Sequence, residues 1–265
     1  MSLDDIDFGE RYRRHMAAAG GREKPPEVWD ARARDMTPAL DESAYVRAFV
    51  RRMDLFGCET LLDVGCGSGA IALAVAPCMK RVYGLDYSRG MLDRFMENAA
   101  AQGATQAQPI LRAWEDDWSD VPECDIVVAS RSTAVMDMEA ALRKLDAKAR
   151  RRVYLTNLAG GRFVDAEVVA LLGRTQPPLP DYIYIVNLLH RMGRQPRLDY
   201  IESVGRLAGS ADFETFARKV AFSLGRLDAA EHARLAEWYA ADPQRARRGG
   251  SLFRWAFIAW ETGRA

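Results

Sequence analysis

In this 265-residue chain, two carboxylates and a run of glycines are the residues whose types and spacing point most directly to chemistry. Gly65-x-Gly67-x-Gly69 follows the apolar stretch Thr60-Leu61-Leu62-Asp63-Val64. Glycines at such a turn let the backbone take φ > 0 and let a ligand come into contact with the main chain. Asp63 stands just ahead of the first glycine. Asp86 closes the next apolar stretch, Arg81–Asp86, near the ~20-residue separation expected of an acid that binds ribose hydroxyls. A carboxylate suits that task because its two oxygens accept two hydroxyl protons at once. Read as Gly65-x-Gly67-x-x-Ala70, the same run also fits a dinucleotide fingerprint, so the loop alone does not choose between ligands.

Two further side chains are candidates for work on a substrate. Arg131 follows the apolar run Asp125–Ser130, and an arginine at the carboxyl end of a central strand overlooks the ligand crevice. Its fork suits a carboxylate or phosphate; an ion pair with Asp137 or Glu139 is the structural alternative. His190 lies in a helical pattern after the rigid break Pro177-Pro178-Leu179-Pro180 and is the candidate base, with Tyr182 and Tyr184 behind it. His15 and His232 read as ordinary helix residues. Cys58, Cys66, Cys78 and Cys124 show no C-x₂-C spacing, so no metal site and no disulfide framework is expected.

The elements that must position these residues alternate. Helical spacing of Tyr45, Val46, Phe49, Val50, Met53 and Phe56, started by Asp41-Glu42-Ser43 and closed by Gly57, completes a helical N-terminal stretch. Strands are then expected at Thr60–Val64, Arg81–Asp86, Pro109–Ala113, Asp125–Ser130 and Arg152–Asn157, separated by helices over Ala70–Ala76, from Ser88 to Gly103, and over Met138–Ala149. Short β-rich runs alternating with helices imply βαβ units and a parallel sheet covered on both faces. Beyond residue 160 the pattern predicts helices over Tyr182–Met192, Phe213–Leu224 and Ala229–Ala240, a strand over Arg197–Ser203 and a strong last strand over Leu252–Trp260. The fold class is therefore α/β: a three-layer, doubly wound, Rossmann-like sheet of seven strands with N-terminal helices and helices inserted before the last strand. The expected organisation is a helical cap over 1–56, a nucleotide-type core over 57–160, a helical substrate cover over 161–250 and the final core strand over 251–265.

Composition narrows the class. Hydrophobic residues make up 49% and charged residues 28%, a balance that excludes general disorder. Lys plus Arg equals Asp plus Glu at 37 each, which disfavours a nucleic-acid-binding surface. The start Met1-Ser2-Leu3-Asp4-Asp5 lacks the basic and apolar regions of a signal peptide, and no apolar run approaches the ~20 residues of a membrane span. The expectation is a cytoplasmic protein with reduced thiols and no membrane partner. Runs such as Arg150–Arg152 and Arg245–Arg248 read as solvated helix ends.

Leu61-Leu62-Asp63-Val64-Gly65-Cys66-Gly67-Ser68-Gly69 resembles motif I of the class I S-adenosylmethionine-dependent methyltransferases, and Gly84-Leu85-Asp86-Tyr87-Ser88-Arg89-Gly90-Met91-Leu92 resembles motif II. Trp255–Trp260 resembles the antiparallel seventh strand of that fold. Trp29-Asp30-Ala31-Arg32-Ala33 resembles an opening segment of its small-molecule branch. The resemblance covers residues 27 to 160 well and the remainder in outline. It implies S-adenosylmethionine as cofactor. Asp63 and the backbone of Gly65, Cys66, Gly67 and Gly69 would hold the amino-acid end, Asp86 both ribose hydroxyls, and Tyr87 the adenine face. Trp114 and Glu115 would lie at the adenine edge, although Trp114 stands where the family usually has a small residue. Ser130 and Arg131 would sit beside the methyl group, and Trp29 over the methionine end.

The resemblance implies methyl transfer to an oxygen or nitrogen of a small molecule, anionic if Arg131 holds it, by a protein that could form a homodimer. The Asn/Asp-Pro-Pro-Tyr/Phe motif and the Pro-Cys nucleophile of nucleic-acid enzymes of this fold are absent; Ser130-Arg131-Ser132-Thr133 stands in place of the former. Two other readings are a non-catalytic S-adenosylmethionine-binding or assembly protein and a nicotinamide-dependent oxidoreductase. The last predicts a sheet without an antiparallel final strand.

Overall fold

A computed structural model describes residues 5–21, 24–36, 43–244 and 252–263. Seven strands form one sheet: β1 (Thr60–Val64), β2 (Arg81–Asp86), β3 (Ala107–Leu111), β4 (Cys124–Ala129), β5 (Ala149–Leu158), β6 (Arg197–Ser203) and β7 (Phe253–Glu261). Their order is β3-β2-β1-β4-β5-β7-β6. The pairs from β3 through β5 are parallel, and β7 runs antiparallel to both β5 and β6. The chain proceeds outward from β1 through β2 to β3, then returns to place β4 on the other side of β1. The crevice at that switch point opens at the carboxyl ends of β1 and β4, where doubly wound sheets bind ligands.

Alternation along the central strands explains the three layers. Leu61, Ile126 and Val128 face one cluster with Tyr45, Phe49, Ile71 and Phe95 from α3 (Ala44–Val50), α4 (Ala70–Val75) and α5 (Arg89–Ala101). Leu62, Val64, Val127 and Ala129 face the other. That cluster contains Tyr12, Leu142 and Leu189 from α1 (Phe8–Ala18), α6 (Met138–Lys148) and α8 (Tyr182–Arg191). A strand buried on both faces must be apolar at every position, so the single charge in β1, Asp63, stands out.

A third cluster, with Val168, Leu207, Phe216, Val220 and Leu235, is built by α7 (Ala166–Leu171), α9 (Phe213–Leu224), α10 (Ala229–Ala241) and the segment after β6. The sequence pattern gives α9 and β6 with their bounds and misses α7. The remaining helix, α2 (Pro26–Arg34), lies against the start of α5: Asp30 Oδ1 accepts from Ser88 Oγ at 2.6 Å and from Gly90 N at 2.8 Å. A Cβ on Gly90 would come within 3.0 Å of the Asp30 Cα, so glycine allows this approach.

Two expectations are corrected, and others fall outside the described residues. The helix begun at Ser43 stops at Val50, not at Phe56. Asp54 N instead donates to Tyr154 Oη on β5 at 2.9 Å, while Asp54 Oδ1 accepts from Phe56 N, so tertiary partners replace the helical ones. β3 lies two residues earlier than expected, because its register pairs Ala107 with Val82 and Leu111 with Asp86. Pro109 is tolerated there because β3 is an edge strand. Met1–Asp4, Asp41, Glu42 and the Arg245–Arg248 run lie outside the described residues.

Asp146, near the end of α6, ties three elements together. It accepts from Arg194 Nε and Nη2 at 2.9 and 2.7 Å and from Trp260 Nε1 on β7 at 3.0 Å. Removing one partner of a largely buried pair leaves the other desolvated and uncompensated. Asp146→Ala is expected to cost about 3 kcal/mol of stability, and Asp146→Asn less. The denaturant midpoint at unchanged m checks both.

Candidate active site

The glycine turn is shaped by what surrounds it. Gly65 (φ 66°) sits where a Cβ would meet the Ser132 Cβ at 2.4 Å. Gly69 (φ 89°), the left-handed N-cap of α4, sits where a Cβ would meet Phe95 Cδ2 at 2.4 Å. Gly67 differs: its Cβ position meets only Met91 Sδ, at 3.9 Å, leaving the middle of the turn open to a visitor. Cys66 is buried, its thiol turned to the carbonyl of Gly67, and burial pushes that thiol well above its ordinary value. It is a packing residue, and what it presents to the turn is backbone.

The two carboxylates flank this opening. Asp63 is 2% exposed; its Oδ2 accepts from Ala72 N at 3.1 Å, and its Oδ1 is buried with no partner. Burial, with the neighbouring charge of Asp86, pushes its pKa up to about 7 against the helping bond from Ala72. A buried carboxylate oxygen without a donor is costly, and an ammonium group would satisfy it. Asp86 is also buried, which raises its pKa, while bonds from Ser88 N and Gly67 N, both 2.9 Å, oppose the rise. Each of its oxygens accepts one of these bonds and keeps a lone pair for a hydroxyl. An orphaned acid, an open glycine face and a second acid at the next strand end fit a ligand with an amino-acid end and a ribose.

At the end of β4 the sequence Ser130-Arg131-Ser132-Thr133 is fastened by its hydroxyls. Ser132 Oγ donates to the Val64 carbonyl at 2.7 Å, and Thr133 Oγ1 donates to the Thr156 carbonyl at 2.9 Å. Arg131 N donates to Thr156 Oγ1 at 3.0 Å. Tyr45 Oη shares bonds with Ser130 Oγ at 2.9 Å and Thr156 Oγ1 at 2.8 Å. Arg131 alone among the described non-glycine residues has a positive φ, 59°, a conformation that costs about 1 kcal/mol. Its guanidinium lies 4.3 Å over the Tyr45 ring, at the mouth of the crevice. Asp137 pairs with Arg13 and Glu139 with Arg143, so neither is the partner expected for Arg131.

The other candidates divide. Tyr87 follows Asp86 and donates its hydroxyl to the Lys24 carbonyl at 2.7 Å, which pins the chain ahead of α2 to the site. Trp29 packs edge-on against Phe222 of α9, ring centres 5.8 Å apart, and so joins α2 to the α7–α9–α10 lobe. Trp114 is half-buried against Trp118 at 5.5 Å and Glu115 is exposed beside it. His190 is not at the crevice. The helix α8 begins beside Gly160, past the carboxyl end of β5, where Asp181 accepts from Gly160 N. It ends near Arg194, which reaches Asp146 near the end of α6, just ahead of the amino end of β5. His190 lies in its last turn, exposed, so helical spacing placed it on the right element at the wrong end. Residues that spacing gave no reason to choose include Asp30, Tyr45 and Thr156, whose roles depend on partners far along the chain. Among the described residues no His/Cys/Asp/Glu group suits a metal, and no helix is long and apolar enough to cross a membrane.

Known proteins resemble this chain in sequence and in fold. A family model described as a methyltransferase domain matches residues 61–153. An uncharacterized protein of Haemophilus influenzae is 36% identical over 269 residues, covering 100% of both chains. The solved YcgJ protein of Bacillus subtilis superposes with a TM-score of 0.58 at 13% identity, covering 82% of this chain and 97% of that one. A SAM-dependent methyltransferase from Thiobacillus denitrificans, in complex with S-adenosyl-L-homocysteine, superposes with a TM-score of 0.52 at 15% identity, covering 90% and 99%. Residues 61–153 carry a methyltransferase domain, and the sheet around it has the Rossmann-like fold of the class I methyltransferases. The methyltransferase domain spans β1 to β5, which contains the glycine turn, both acids and Arg131.

Because Asp63 binds its proton more tightly in the folded methyltransferase domain than the ordinary 3.8 of an unfolded chain, its contribution to stability is fully present below 3.8. That contribution is lost as pH rises through about 7. The unfolding free energy of the ligand-free protein is expected to fall by the order of a few kcal/mol between pH 5 and pH 8 through this group. Asp63→Asn should flatten that fall in parallel denaturant titrations; an unchanged slope would remove Asp63 as its source.

Proposed function

We propose that the chain transfers a methyl group from S-adenosylmethionine to an oxygen or nitrogen of a small-molecule acceptor, as a cytoplasmic protein. The observation that carries this reading is the pairing of an orphaned buried oxygen on Asp63 with the free lone pairs of Asp86 across one open glycine turn. Asp63 Oδ1 would accept from the cofactor's ammonium group and Asp86 from its ribose hydroxyls, with Gly67 giving room for close approach. Tyr87 lies beside Asp86 for the adenine. Trp114 and Glu115 follow β3 at the far side, where the adenine edge would lie. Bound S-adenosylmethionine supplies an activated methyl, whose transfer to an acceptor lone pair breaks the carbon–sulfur bond and leaves that bond's electrons on a neutral thioether. The protein's task is then alignment. Ser130 and Arg131, locked by Thr156 and Tyr45, face the space beyond the turn where an acceptor would enter. An acceptor that carries a proton on its nucleophile would release it to solvent.

The oxidoreductase reading required a sheet without an antiparallel last strand, and β7 is antiparallel. A binding protein without turnover differs from an enzyme only in a reaction assay: S-adenosylhomocysteine should accumulate from S-adenosylmethionine when an acceptor is present.

Calorimetric titration with S-adenosylhomocysteine tests the cofactor reading, with NADH as the control that should not bind. Asp86→Ala loses two charge-assisted hydroxyl bonds, each worth about 1.5–3 kcal/mol before water replaces part of them. The expected loss is on the order of 10- to 1,000-fold in affinity with the fold retained; unchanged affinity would withdraw the ribose assignment. Arg131→Ala should leave S-adenosylhomocysteine binding intact and abolish turnover.

A further inference from the structure

The site already described leaves one group of side chains unused. Between α2, α9 and the segment after β6, cations gather about a single ring. Lys24 Nζ lies 3.4 Å from the centre of Phe222, with Arg32 Cζ at 5.2 Å and Arg206 Cζ at 5.1 Å. Arg206 also lies 4.5 Å over Phe163. Lys219, three residues before Phe222 on α9, turns to the Ala208 carbonyl at 2.5 Å. Their other partners are neutral: the Phe222 carbonyl for Lys24 and Ser223 Oγ for Arg206. Among the described residues, no ion pair involves Lys24, Arg32, Arg206 or Lys219. Asp30, the nearest acid along α2, is committed to Ser88 and Gly90.

The arrangement works against folding. Burial and the neighbouring cations lower the pKa of Arg206 to about 10 and that of Lys24 to about 8. Arg32 and Lys219 are lowered too, Arg32 by burial and then by Arg131, Lys219 by burial and then by Arg32. Like charges brought together away from bulk water repel, and ring faces return only part of that cost. What relieves such a cluster is an anion, and guanidinium forks match carboxylate and phosphate oxygens in pairs.

The cluster is attached to the cofactor site. Tyr87, next to Asp86, holds the Lys24 carbonyl. Asp30 fixes α2 to the start of α5, and Arg32 on the same helix stands near enough to Arg131 for the two guanidinium groups to repel. Arg206 and Phe222 belong to the lobe that covers this side. Arg32 is packed among neighbours yet keeps surface open to solvent, and Lys24, Arg206 and Lys219 are half-buried.

We propose that Lys24, Arg32 and Arg206, with Lys219 behind them, form the acceptor's recognition site, and that the acceptor is a small polyanion bearing two or more carboxylate or phosphate groups. The proposal rests on the methyltransferase reading and adds to it the substrate class, with Arg131 joining the cluster to the transfer point.

The test uses the full chain saturated with S-adenosylhomocysteine. Citrate and inorganic pyrophosphate are titrated in separately by calorimetry at constant ionic strength, with glycerol as a neutral control. At least one polyanion is expected to bind and glycerol not to bind. Tighter citrate assigns carboxylates, and tighter pyrophosphate assigns phosphate. Arg32→Gln and Arg206→Gln should each weaken the polyanion about tenfold or more. Their thermal midpoints without polyanion should match or exceed that of the parent protein, since repulsion is relieved; that second readout separates lost recognition from lost folding. Polyanion affinity equal in parent and variants, or no polyanion binding while S-adenosylhomocysteine binds, overturns the acceptor proposal alone. Failure of S-adenosylhomocysteine itself to bind overturns the reading beneath it.

Discussion

The pairing of β1 between β2 and β4 is the constraint on which the rest of this protein depends. It puts a strand buried on both faces at the point where the chain reverses its direction of travel across the sheet. The turn leaving β1 must therefore pass close against the ends of its two neighbours, and Gly65 N and Cys66 N both donate to the Leu85 carbonyl of β2, at 2.7 and 3.0 Å. Ser132, bonded to the Val64 carbonyl, fills the place a side chain on Gly65 would take. Phe95 fills the place a side chain on Gly69 would take. With both flanks packed, the open middle of the turn is the only part left for a ligand, and both acids are aimed there by their own strand ends.

Three local conflicts gather on this one rim. Asp63 keeps an unpartnered oxygen in the interior, Arg131 takes a left-handed backbone, and Lys24, Arg32 and Arg206 crowd around one ring. Elsewhere the molecule resolves comparable problems. Asp146 is matched by Arg194 and Trp260, and Glu231 by Arg174 in the α7–α9–α10 lobe, where those bonds hold its carboxyl down at about 2. A chain that satisfies buried charge so fully away from the crevice and leaves it unsatisfied at the crevice has concentrated its cost where ligands would repay it.

Much of the core was legible because its signals are local. β1, β2 and β4 are short apolar runs ending in glycine, acid or serine, and Ser88 announces α5 by its own capping bond to Met91 N. The misreadings arose where a partner distant in sequence decided. Tyr154 ends α3 from a hundred residues away, the register with β2 moves β3, and the far anchorage of α8 at Asp146 carries His190 from the rim. Asp30 lay within a segment already singled out, but its role requires knowing that α2 meets α5. Arg206 carried no signal at all: one arginine among many becomes notable only when Phe163 and Phe222 place it beside Arg32.

The net charge of zero hides a division of labour. Carboxylates stand where the proposed cofactor brings its ammonium and hydroxyls, and cations stand where the proposed acceptor brings its anionic groups. Arg131 lies between, close enough to Asp63 to ease that acid's rise in pKa and close enough to Arg32 to lower that guanidinium. The two halves of the crevice are therefore coupled through Arg131. An ionised Asp63 attracts the Arg131 guanidinium, and an anion on Arg32 offsets part of the repulsion between Arg32 and Arg131. By the reciprocity of binding free energies, whatever effect the proposed cofactor has on the affinity for the acceptor, the acceptor has equally on the affinity for the cofactor. Such coupling needs no moving lid, because opposed fields across one strand end already link the two events.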